Sequence, residues 1–112
     1  MVTGGWITQA DRSCWQRRAA AELAAILAGH PGIPVIAWTV TASGGALSGQ
    51  VLAPAAGRRG LFAQWRQALG LDEVTETPSA NGAAVYLHAR GARGGVAVSV
   101  TATVFDGGED SR

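Results

Sequence analysis

Lysine is absent from this chain, and every one of its nine basic side chains is an arginine. Charge of either sign is scarce. Charged residues make up 15% of the 112 positions, against roughly 25% in ordinary globular domains. Eight acidic residues leave a formal net charge of +1, which argues against a protein that holds nucleic acid by phosphate attraction alone. Arginine without lysine, alongside abundant alanine and glycine, fits the codon usage of a high-GC bacterium better than it fits a ligand.

Cysteine is nearly absent as well. Cys14 is alone, so no intrachain disulfide can form, and a reducing, cytoplasmic setting is expected. No uninterrupted apolar run approaches the roughly 20 residues of a membrane span. Residues 1–6 lack the basic and then apolar segments of a secretory leader, so a soluble protein is expected. Histidine occurs twice, at His30 and His88, too far apart for a zinc-ligand spacing, and neither can be set beside Cys14 as a base from sequence. The acidic groups Asp72, Glu73 and Glu76, and then Asp106, Glu109 and Asp110, match no calcium loop. Gly91, Gly94 and Gly95 stand between two strand-like runs. A dinucleotide-binding glycine loop would open a helix instead. No metal, cofactor or catalytic group is expected.

Apolar residues supply 47% of the chain, enough for one core in one domain. Residues 1–7 read as a loose arm, 8–105 as the domain and 106–112 as a flexible acidic tail. Thr8 and Asp11 form a capping-box pattern, and Trp15, Ala19, Leu23, Ile26 and Leu27 then recur at helical spacing. Gly29 and Pro31 end that helix. Residues 35–42 and 46–52 alternate as strands about Gly44-Gly45. A second helix over 59–69 carries Leu61 or Phe62, Trp65, Ala68 and Leu69, and Gly70 stops it. Residues 72–77 read as either a short strand or an acidic connector, and 78–82 as a turn. Residues 83–90 and 96–105 form the last hairpin, with 91–95 as its connection. Arg93 is expected on a mobile tip there.

The predicted architecture is a two-layer αββαββ domain of the α+β class. Two helices cover one face of a four-stranded, mainly antiparallel sheet. Alternation puts Ile36, Trp38, Val40 and the valines from Val96 to Val104 under the helices. Trp15, Trp38 and Trp65 are expected to meet in or near the core, and Trp6 to fold back or insert into a neighbour. The other face would carry Thr39, Thr41, Gln50, Tyr86, His88, Thr101, Thr103 and Phe105. Small, uncharged side chains permit close apposition, so the first functional expectation is a non-enzymatic interaction, adaptor or regulatory domain. It would self-associate, or bind another protein, through that face or a strand edge.

Two other readings stay open. Arg17, Arg18, Arg58, Arg59, Arg66, Arg90 and Arg93 would contact nucleic-acid phosphates if they shared one surface, with Tyr86 and His88 stacking bases beside Arg90. A small-molecule-binding domain or enzyme would instead need a cavity between helices and sheet.

Overall fold

The computed structural model describes residues 7–41, 45–52 and 54–105. The expectations for residues 1–6, including Trp6, for Ala42 and Gly44, and for the tail 106–112 lie outside them. The order is α1 (Gln9–Gly29), β1 (Ala37–Val40), β2 (Ala46–Gln50), a 3-10 turn (Ala55–Gly57), α2 (Arg58–Leu69), β3 (Glu73–Pro78), β4 (Ala84–Arg93) and β5 (Val96–Phe105). The strands form one sheet in the order β1-β2-β5-β4-β3. The two helices and the α+β class are as expected. The sheet differs: it has five strands rather than four, and it is mixed, because β2 runs parallel to β5 while the other three pairings are antiparallel. The element order is therefore αββαβββ.

β3 is the strand that sequence left undecided, and all six of its residues are exposed. It has no buried face to impose alternation. Its strand character comes from pairing with β4, from Glu73 opposite Arg90 to Pro78 opposite Val85. The last hairpin also differs. β4 runs on through Gly91 and Ala92 to Arg93, and only Gly94 and Gly95 turn, at φ +57° and +81°. Positive φ at both positions is the requirement of a tight two-residue hairpin. Gly91 is a strand glycine for a steric reason: a Cβ there would lie 3.2 Å from Leu71 Cδ2.

α1 begins as expected. Asp11 N–H donates to Thr8 Oγ1 at 3.1 Å and Thr8 N–H donates to Asp11 Oδ2 at 3.0 Å, closing the capping box. Its end needs no left-handed glycine. Gly29 is not among the residues with positive φ, and the His30 N–H donates to Leu27 O beyond the last helical residue. Of the predicted stripe, Ala19 and Ile26 are fully buried and Leu23 packs at the core margin, whereas Leu27 is 45% exposed. α2 ends at Gly70 with φ +64°, the left-handed cap its sequence predicts.

The core lies between the helices and one sheet face. Leu61, Phe62, Trp65 and Leu69 of α2 pack with Leu87 and Ala89 of β4 and with Val96, Val98, Val100, Ala102 and Val104 of β5. Trp65 is its largest fully buried side chain. Its indole N–H donates to Pro34 O at 2.9 Å, and Trp38 meets it edge-on at 5.7 Å. Trp38 has room because its neighbour across the strand pair is Gly49, where a Cβ would lie 3.0 Å from the indole and 2.8 Å from Ile36 Cδ1.

Candidate interaction surface

Two registers fix what the uncovered face carries. β5 alternates strictly, with Val96, Val98, Val100, Ala102 and Val104 buried under the helices. The intervening Ala97, Ser99, Thr101, Thr103 and Phe105 therefore project from the opposite side. Across β4, His88 stands opposite Thr101, Tyr86 opposite Thr103 and Arg90 opposite Ser99. Across β2, Gln50 stands opposite Thr101 and Ser48 opposite Ser99, and β1 adds Ala37 and Thr39. The outcome is a row from Ala37 through Gln50, Thr101 and His88 to Thr75. A second row runs from Thr39 through Ser48, Ser99 and Arg90 to Glu73.

Seven of the eight residues assigned to this face from sequence share it: Thr39, Gln50, Tyr86, His88, Thr101, Thr103 and Phe105. Thr41 stands apart. β1 ends at Val40, and Thr41 is half-buried, bonding Ala46 O through both its N–H and its hydroxyl while its own carbonyl accepts from Gln16 of α1. β3 contributes what sequence reasoning missed, namely Glu73, Thr75 and Thr77. Their only signal was the every-second-residue spacing of small polar side chains within an acidic run.

Charge on the face is self-cancelling. Arg90 Nε donates to Glu73 Oε1 at 2.6 Å, with both side chains largely exposed. Such a pair adds little stability in water, but the two charges cancel each other. Apolar side chains gather towards one end. Tyr86 and Phe105 are each 48% exposed, and Val35 and Leu52, 87% and 61% exposed, lie just beyond the paired Ala37 and Gln50. Arg58, the first residue of α2, donates to Thr103 O at 3.1 Å and carries its guanidinium 5.9 Å from the Phe105 ring centre. Towards the other end the sheet forms a shallow recess of about 750 Å³, lined among others by Asp72, Glu73, His88, Arg90, Ala97 and Ser99.

The arginines do not share one surface. Arg17, Arg18, Arg58, Arg59 and Arg66 ride on the helices, Arg90 projects from the open face, and Arg93 turns towards α1. Several are engaged: Arg17 donates to Ser13 at 2.7 Å, Arg59 to Glu76 at 3.4 Å and Arg93 to Glu22 at 3.3 Å. Arg93 is therefore not held out on a mobile tip. The Gly94-Gly95 turn lies against α1, close enough that a Cβ on Gly94 would meet Glu22 Oε1 at 2.7 Å.

No catalytic pairing is assembled among the described residues. Cys14 is exposed near the start of α1 and His30 follows its end, a separation of roughly 24 Å along a helix rising 1.5 Å per residue. His88 is on the far side of the sheet. His30 lies 6.1 Å from Trp65, ring centre to ring centre, and its Nδ1 has no partner among the described residues. No group of three or more His, Cys, Asp or Glu among the described residues is arranged to hold a metal. None of the described helices is long and apolar enough to cross a membrane. Compared with family models, with curated proteins and with solved structures, the chain matches none of them.

Proposed function

We propose that this chain is a non-enzymatic interaction domain, of the adaptor or regulatory kind, that pairs with a second copy of itself through the open sheet face. The observation that carries the reading is the chemistry of that face. It spans all five strands, neither described helix lies over it, and the charges at its centre, Arg90 and Glu73, pair with each other. A strongly charged face would repel its own copy. A face of threonine, serine and alanine avoids the larger cost of burying charge, its hydroxyls hydrogen-bonding across the contact, and lets two sheets approach to about 10 Å. Tyr86 and Phe105 supply the anchors such contacts favour. Five strands spaced about 4.8 Å apart offer on the order of 600 Å² of projected face, near the roughly 800 Å² per partner of a standard interface. The exposed free thiol of Cys14 suits a reducing compartment, and we assign the protein to the cytoplasm.

Sedimentation of the full chain at micromolar concentration tests the reading. The wild type is expected to sediment as an oligomer. Thr101→Arg combined with Phe105→Arg is expected to halve the sedimenting mass while the helical circular dichroism stays unchanged. A monomeric wild type, or a mass that the double variant leaves alone, overturns it.

A further inference from the structure

The two edges of the sheet are built differently. β3, at one edge, carries Glu73 and Glu76 and ends on Pro78, which has no N–H to offer. Charges and proline are the devices that keep an edge from pairing with another chain. β1, at the other edge, has neither. From 35 to 41 the chain reads Val-Ile-Ala-Trp-Thr-Val-Thr, seven residues without a charge or a proline. Ala37 and Thr39 are exposed, and Val35 is 87% exposed.

Hydrogen-bond parity shows which groups this edge presents. Thr41 N–H donates to Ala46 O. Antiparallel pairs alternate, so Thr39 and Ala37 direct their backbone groups at Ser48 and Gln50, while Ile36, Trp38 and Val40 direct theirs outward. Val51 N–H donating to Thr101 O confirms the phase, because it shows that the odd-numbered groups of β2 serve β5.

We infer that β1 is a second self-association site, independent of the open-face reading, at which it pairs antiparallel with β1 of another copy about a two-fold axis at Trp38. That register uses all three outward residues, Ile36 opposite Val40 and Trp38 opposite Trp38, in about six backbone hydrogen bonds. It sets Ala37 opposite Thr39 on the open side. Every opposed pair is uncharged, and small residues meet small residues on one side while apolar ones meet on the other. The strand is therefore complementary to itself, which is what a two-fold contact demands. The paired edge runs about 24 Å over its seven residues, the length of a full strand. Its two-fold axis stands perpendicular to the sheet, whereas the axis of a face-to-face pair lies parallel to it. Where the two axes intersect, the two contacts close into a four-chain assembly of two ten-stranded sheets; where they are offset, they propagate as an open array.

Directed cross-linking tests the register in the full-length chain. In a Cys14→Ser background, one chain carries Ala37→Cys and another Thr39→Cys, both at exposed positions. Opposed residues of a non-hydrogen-bonded pair have Cα atoms about 4.5 Å apart, within disulfide range, whereas like residues across the axis lie about 8 Å apart, outside it. Oxidising the equimolar mixture is expected to give disulfide-linked heterodimer from most chains, and each variant alone little. A mixture no more cross-linked than its separate components overturns the inference. Adding Thr101→Arg and Phe105→Arg separates the two surfaces. Cross-linking retained with a halved mass supports both, and retained with an unmoved mass it supports the edge and removes the face. A mixture that does not cross-link with or without the charges, and whose mass still halves, leaves the face and removes the edge.

Discussion

α1 and α2 lie on the same side of the same sheet and are held there by opposite means. α1 has 21 residues, a complete capping box and a run of alanines, yet of its described side chains only Ala19 and Ile26 are buried. α2 has 12 residues, no side-chain cap at its start and four buried side chains: Leu61, Phe62, Trp65 and Leu69. A helix of α2's length is marginal by itself and exists because its apolar face is packed. α1 is long and alanine-rich enough to draw much of its helicity from local propensity and capping. One is a helix because the core requires it; the other is a helix that the core merely retains.

Substitutions can break that contrast. Trp65→Ala should have the largest effect, about 3–5 kcal/mol, a large share of the stability of a small domain. It removes a fully buried ring, the edge-on contact with Trp38 and the bond to Pro34 O. Urea unfolding followed by circular dichroism should show one shifted transition for both helices. Ile26→Ala deletes the main anchor of α1 and is expected to cost about 2–3 kcal/mol, the low end for such a change, because few buried neighbours come from the same helix. Equal losses for the two variants would mean that α1 depends on the core as fully as α2 does. Thr8→Ala should be the smallest, about 1 kcal/mol, and local. Amide exchange is expected to quicken in the first turn of α1 while the unfolding midpoint hardly moves. A midpoint shift as large as that of Ile26→Ala would show that the cap supports the whole fold.

The parts of the fold legible in sequence were those with a buried face. β5 announces itself through the alternation from Val96 to Val104, and the helices through their stripes and their terminating Gly70 and Pro31. β3 escaped assignment because nothing covers either of its sides. Gly91 read as loop because its true reason, the Leu71 side chain packed against it, is a tertiary contact with no local trace. The same holds for Arg93, whose partner Glu22 lies on the first helix. Most of the open face was legible, since period two places Tyr86, His88, Thr101 and Thr103 without knowledge of strand order. The pairing of its charges was not, because Glu73 joins Arg90 only through a strand pairing that the sequence does not advertise. The open edge at β1 was equally hidden, because being at an edge is a property of topology.

The parallel junction of β2 with β5 also bears on how the chain reaches this state. Ala46 meets Ala97 there, so the middle of the sheet is completed by β5, the last of its five strands in chain order. Pairings this distant in sequence slow folding, because most of the chain must be ordered before they form. Until β5 arrives, the β1–β2 hairpin has neither its central neighbour nor a closed core. Before then it is an unsupported pair of strands, and the sheet is expected to form only once β5 has been made.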